Sequence, residues 1–217
     1  MKDEYLLLED SYKDYKLKVI IEKGETVWYM NGAPIMFGTQ YHSCYQVDVV
    51  GFDHHDHNIL VAGLGHGNTT ELASQYGKVT CIELLESVFD LYKSRVGDNY
   101  DYDILIDDFY DYVNNTSEKY DAILMQLDFP GEESEIQYCL KSNERIYTEE
   151  FLTRIKYILN NDGVFVTEGV VKIGQQSDIF TLLRKVGFEI KEYRKPFEYE
   201  KMKQDVEHVL WRCQKID

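Results

Sequence analysis

The sequence predicts an α/β fold of Rossmann-like type: a mainly parallel, seven-stranded sheet flanked by helices and preceded by a small N-terminal β-hairpin extension. Three observations carry that expectation. From residue 58 onward, apolar runs of strand type alternate with helical patterns, as they do in chains of βαβ units. The first run, Ile59 to Ala62, leads into a turn containing Gly63, Gly65 and Gly67 and then into a helix-forming segment, Thr69 to Tyr76. The next run, Val79 to Ile82, ends on an acid, Glu83. A glycine triplet alone is weak evidence, but strand, glycine turn, helix and spaced acid together have the layout of a nucleotide-binding site. Glycines let a bulky cofactor lie against bare backbone, and N–H groups at the helix start face its polar tail. A carboxylate at the end of the second strand can accept both hydroxyls of a ribose.

The 217 residues fit one main domain with an appendage. We divide them into residues 1–50, a hairpin extension with a lead-in helix, and residues 51–217, the cofactor-binding domain. In the first part, Tyr15 to Ile21 and Thr26 to Met30 are apolar segments separated by Glu22-Lys23-Gly24-Glu25, which reads as a hairpin. A second turn is expected at Asn31-Gly32-Ala33-Pro34, followed by a helix over Tyr41 to Val50.

Beyond the glycine turn, Leu84 to Val96 has a helical face of Leu85, Val88, Phe89 and Tyr92. Tyr102 to Ile106 is the third strand and ends at Asp107 and Asp108; a short helix begins near Asp111. Tyr120 to Leu127 is the fourth strand, Thr148 to Leu159 a helix, Asn161-Asp162-Gly163 a turn, and Val164 to Thr167 the fifth strand. Asp178 to Val186 is a helix stopped by Gly187. Phe188 to Tyr193 and Glu207 to Cys213 supply an antiparallel edge pair. Gly65, Glu83, Asp108 and Gln126 then fall along the carboxyl edge of the sheet, where ligands of such sheets bind.

Composition narrows the partners. The formal charge of −16 repels nucleic-acid phosphates, so nucleic acid is not expected as a partner. The same charge attracts a cationic substrate such as a polyamine, or serves solubility alone. No apolar run reaches the roughly 18 residues that a membrane span needs. Met1-Lys2-Asp3-Glu4-Tyr5 lacks the apolar core of a signal peptide, and a cytoplasmic protein without a membrane partner is expected. Cys44, Cys81, Cys139 and Cys213 are scattered, with no CxxC spacing, which predicts reduced thiols. Gly51 to His57 offers His54, His55, Asp56 and His57 as possible metal ligands. Adjacent residues of an extended loop point in different directions, however, so we read a polar connection and expect no metal.

Together with the N-terminal hairpin and the glycine turn, several segments resemble the spermidine synthase (polyamine aminopropyltransferase) family, within the class I S-adenosylmethionine-dependent methyltransferase-like superfamily. They are Gln40-Tyr41-His42, Ile82-Glu83, Asp108 leading into Phe109-Tyr110-Asp111-Tyr112-Val113, Tyr120-Asp121-Ala122-Ile123-Leu124, Ile146-Tyr147-Thr148-Glu149-Glu150-Phe151, and Gly163-Val164-Phe165-Val166-Thr167. The resemblance covers almost the whole chain and implies a methyltransferase-type sheet. It also implies a co-substrate, decarboxylated S-adenosylmethionine or S-adenosylmethionine, and no metal. Glu83 would bind the ribose hydroxyls and Asp108, with Asp107 as competitor, the adenine amino group. Gly63, Gly65, His66 and Gly67 would pass the cofactor's tail, and Gln40 and His42 would complete the cofactor site. Tyr41, Gln126 and Asp128 would form the catalytic group, with Tyr41 and His42 walling the site.

Two positions depart from the family pattern. His66 stands where the family has an Asp inside the glycine turn. Gln126-Leu127-Asp128-Phe129-Pro130 stands where it has Asp-Ser-x-Asp-Pro. A Gln cannot take a proton from an ammonium, so Asp128 is the candidate base, with Glu132, Glu133 and Glu135 adding negative charge nearby. The expected reaction is aminopropyl transfer to a small-molecule amine acceptor such as a polyamine. The alternatives are S-adenosylmethionine-dependent methyl transfer, because His66 and Gln126 tolerate the carboxylate of the intact cofactor, and a non-catalytic nucleotide-binding relative. The resemblance also implies a possible homodimer.

Overall fold

The computed structural model describes residues 4–12, 15–30, 33–37, 44–125, 127, 145–172, 174, 177–196 and 206–216. Four strands, β1 (Glu4–Tyr12), β2 (Tyr15–Glu22), β3 (Glu25–Met30) and β4 (Ala33–Phe37), form an antiparallel sheet in chain order. The expected hairpin is the β2–β3 pair, closed by Glu22 opposite Glu25. Lys23 and Gly24 both have positive φ, 54° and 85°, as a two-residue hairpin turn requires. β1 and β4 extend this hairpin on either side. The alternation that marks β2 is weaker in β1, where Tyr5, Leu6 and Leu7 are all exposed.

After helix α1 (Cys44–Val50), the second sheet is built from β5 (His57–Ala62), β6 (Gly77–Glu83), β7 (Asp103–Ile106), β8 (Tyr120–Met125), β9 (Leu159–Lys172), β10 (Phe188–Pro196) and β11 (Val206–Lys215). Its strand order is β10-β11-β9-β8-β5-β6-β7. The five strands β5 to β9 are parallel, and β11 runs antiparallel between β9 and β10. The intervening helices are α2 (Asn68–Ala73, continued by a 3-10 turn Ser74–Tyr76), α3 (Glu86–Val96), α4 (Phe109–Asn115), α5 (Glu149–Ile158) and α6 (Asp178–Val186). Side chains cap three of them: Asp108 for α4, Thr148 for α5 and Ser177 for α6. The turn expected at Asn161–Gly163 is a bulge inside β9. There the register jumps between Tyr120↔Leu159 and Ala122↔Val164, and Asp162 adopts φ 60°.

Ile59, Leu60, Val61 and Ala62 are all fully buried because β5 lies mid-sheet with both faces covered, the reason central parallel strands read as unbroken apolar runs. Side chains alternate between two cores. Leu60, Ala62, Ile123 and Met125 pack with Phe109, Phe151, Leu152 and Ile155 on one face. Ile59, Val61, Ala122 and Leu124 pack on the other with Val47, Val50 and Tyr92. The inward residues Leu17, Val19 and Trp28 of the small sheet join that second core. Burying an aliphatic side chain of this size contributes about 1.5–3 kcal/mol, so the shared core ties the two sheets together. No described helix is long and apolar enough to cross a membrane.

Candidate functional site

The chain leaves β5 toward β6 and β7 on one side and returns to β8 on the other, which places the β5/β8 junction at the switch point where such sheets open a crevice. The glycine turn begins there. Gly63 N–H donates to Ile82 O at 2.9 Å and Gly67 N–H to Leu64 O at 2.7 Å, pinning the turn to β6 and to itself. Gly67 has φ 84°, and a Cβ at this position would lie 2.2 Å from the Tyr92 ring. Both the backbone conformation and the close approach of α3 demand glycine here.

Glu83, the last residue of β6, is buried with its carboxylate directed back at the turn. Oε2 accepts from Leu64 N–H and Oε1 from Leu85 N–H, both at 2.9 Å. Burial raises its pKa, opposed by backbone N–H donors from Leu85, Leu64, Leu84 and Gly65. These donors fix the carboxylate at the turn, and as an acceptor-only group with about four lone-pair sites it is of the type that can take ribose hydroxyls.

His66 lies inside the turn with its ring edge against Trp28 of β3, centroids 5.1 Å apart. Burial, with the Arg95 guanidinium nearby, pushes its pKa down to about 4, so the imidazole is neutral at physiological pH. Arg95 donates to His66 O and pairs with Glu71 Oε1 at 3.3 Å. The turn therefore offers no His66 cation to a carboxylate and no repulsion to an ammonium.

Buried polar atoms without a hydrogen-bond partner among the described residues include His66 Nε2, Trp28 Nε1 and Gln46 Oε1. Gln46, fully buried in α1, donates from Nε2 to Met125 O at 3.1 Å, at the carboxyl end of β8 where Met125 faces Ala62. Unpaired buried groups are costly, so three at one sheet edge suit a polar ligand. Sequence reasoning overlooked Trp28 and Gln46. The available signal was a glutamine set between Tyr45 and Val47 on the apolar face of a short helix.

Asp108 caps α4, its Oδ1 accepting from Tyr110 N–H at 3.0 Å, while Oδ2 pairs with Arg145 Nη2 at 2.7 Å. Arg145 also lies over the Tyr110 ring, 4.9 Å from its centroid. The competing Asp107 is exposed and accepts the Asp108 N–H at 2.8 Å. Gly65, Glu83 and Asp108 do fall along the carboxyl edge of adjacent strands, as expected. Gln40, Tyr41, His42, Gln126 and Asp128 lie outside the described residues.

One structural premise is corrected. The loop before β5 is bent at His54 and His55 rather than extended, and it gathers ligand atoms of Asp53, His54 and His57 within 4.8 Å of one another. This cluster lies at the amino end of β5, opposite the glycine turn.

A family model described as the spermine/spermidine synthase domain matches residues 39–198. The chain is similar to the polyamine aminopropyltransferase of Sulfolobus acidocaldarius, at 31% identity over 121 residues covering 51% of this chain and 38% of that protein. The match thus spans well under half of that relative's length. A spermidine synthase in complex with the transition-state analogue AdoDATO superposes with TM-score 0.71 at 16% identity, covering 98% of this chain and 74% of that one. Human methyltransferase-like protein 13 in complex with SAH superposes with TM-score 0.61 at 18% identity, covering 81% and 82%. At these identities the two structures establish the fold, a methyltransferase-like sheet with an added N-terminal sheet.

Proposed function

The chain belongs to the spermine/spermidine synthase family, and from that premise we propose that it is an aminopropyltransferase acting on decarboxylated S-adenosylmethionine and a small-molecule amine, such as a diamine or polyamine. The observation that carries this reading is the Glu83 carboxylate, buried beside the glycine turn and fixed there by the backbone N–H groups of Leu64 and Leu85. It is prepared for a ribose at the place where a nucleoside would lie along the sheet edge. The family match includes every member of this row.

In the proposed reaction the neutral acceptor amine attacks the carbon beside the sulfonium. A C–N bond forms, the C–S bond breaks, methylthioadenosine leaves and the amine's proton passes to a base. The sulfonium is already a good leaving centre, so alignment and a deprotonated amine supply most of the catalysis. Asp128 is the proposed base, with Gln126 and Tyr41 positioning the amine and Gln40 and His42 completing the cofactor site; these roles rest on the family resemblance. Asp108 is the proposed adenine reader, and Gly63, Gly65, His66 and Gly67 border the tail. Neutral His66 and the acceptor Gln46 Oε1 suit an uncharged or ammonium-bearing tail, while Trp28 Nε1–H can only donate.

In this reading residues 1–50 wall the site, residues 51–217 form the catalytic unit, and the reaction needs no metal. The proposed setting is cytoplasmic, without a nucleic-acid or membrane partner, and a homodimer is part of the proposal. Calorimetric comparison of the two donors tests it. Decarboxylated S-adenosylmethionine is expected to bind more tightly than the intact form; the reverse order would overturn the assignment of the donor.

A further inference from the structure

The loop joining α1 to β5 takes no part in the row described above. His54 and His57 stack, with ring centroids 3.8 Å apart and planes at 13°. One oxygen, Asp53 Oδ1, faces both rings, 3.3 Å from His54 Nε2 and 3.5 Å from His57 Nε2. Asp56 Oδ1 contacts His54 at the other ring nitrogen, Nδ1. His57 Nε2 is closed off from solvent and has no hydrogen-bond partner among the described residues. His55 is turned away: its Nδ1 pairs with Gln75 O at 2.6 Å and its ring stacks on Tyr76.

We propose that Asp53, His54 and His57 form a binding site for a divalent transition-metal cation of zinc type. A tetrahedral ion with bonds of about 2.0–2.1 Å holds neighbouring ligand atoms about 3.3–3.4 Å apart; Asp53 Oδ1 stands 3.3 and 3.5 Å from the two imidazole nitrogens, and a turn of the exposed His54 ring out of its stack on His57 would bring both lone pairs onto one ion. Two imidazoles with one carboxylate suit a borderline ion; calcium and magnesium favour all-oxygen sites. Asp56 supplies the carboxylate contact that commonly orients a ligating histidine, holding the proton on Nδ1 and leaving Nε2 free for an ion. An ion there would give the orphaned His57 nitrogen its partner. Asp53 is 81% exposed, so water can complete the coordination from the open side. The site lies at the amino end of β5, away from the reacting groups, and its effect would be to clamp the loop onto the sheet.

Titration of the full chain with zinc chloride in a non-coordinating buffer tests the proposal. One saturable site is expected, weakened about tenfold or more in Asp53→Asn and in His54→Ala and unchanged in His55→Ala. His54 and Asp53 are exposed enough to be replaced without disturbing the core, whereas His57 packs against Phe52. Cobalt substitution provides a second readout: visible d–d bands of a four-coordinate ion in the parent chain that vanish in His54→Ala. Absence of saturable binding would overturn the site. So would binding that Asp53→Asn and His54→Ala leave intact, or that His55→Ala weakens as much.

Discussion

The Trp28 indole meets the His66 imidazole edge to face, centroids 5.1 Å apart and planes at 75°, so a residue of the small sheet forms a wall of the glycine turn. This contact helps exclude water from His66 and hold its pKa near 4. Trp28→Ala is expected to admit water and move the imidazole pKa back toward its ordinary value of about 6.5. Nuclear magnetic resonance titration of the His66 ring reads this directly; an unchanged pKa would assign the depression to other neighbours.

The same depression predicts a pH dependence of stability. A histidine whose pKa is lowered on folding takes up its proton in the unfolded chain first. The stability present above about pH 6.5 is therefore lost as pH falls from there toward about 4. Glu83 works in the opposite sense: its raised pKa gives a contribution present at low pH and lost as pH rises through the folded value. His66→Gln should flatten the acid-side loss and leave the Glu83 contribution in place. Urea unfolding of both proteins across this range checks it, and parallel curves would contradict it.

Glu83→Gln is expected to weaken binding of the donor or of methylthioadenosine by about tenfold or more, since hydrogen bonds to a charged acceptor are worth about 1.5–3 kcal/mol. Its amide must also turn an NH2 toward either Leu64 N–H or Leu85 N–H, which costs about 1–3 kcal/mol of stability for the group left unpaired. Calorimetry and denaturation together separate the two effects. Undiminished affinity in a folded variant would remove Glu83 from the ribose site.

The framework was legible in the sequence because its signals are local. Ile59 to Ala62 reads as a central strand from its own residues, and Gly67 announces a turn that no side chain would tolerate. Glu83 follows from one strand and one acid. What was missed depends on distant contacts. Trp28 belongs to the site because the small sheet folds over the turn, and Gln46 because its amide reaches Met125, 79 residues away. His54, His55, Asp56 and His57 are set aside as ligands on the premise of an extended loop; the bends at His54 and His55 instead bring His54 and His57 together with Asp53, which the sequence does not single out.

Asp108 combines two roles that substitutions can divide. Asp108→Ala removes the cap on α4 and should cost about 1 kcal/mol, whereas Asp108→Asn keeps a capping oxygen and loses the ion pair with the exposed Arg145, worth at most about 1 kcal/mol. If Asp108 also reads the adenine amino group, Asp108→Ala weakens donor affinity more than Arg145→Ala does. Equal affinities across the three variants would confine Asp108 to capping.

The nucleoside product distinguishes aminopropyl transfer from methyl transfer. With decarboxylated S-adenosylmethionine and a panel of diamines and polyamines, the full chain is expected to release methylthioadenosine in step with an aminopropylated amine. Release of S-adenosylhomocysteine from the intact cofactor, or no product with any amine of the panel, would contradict the account.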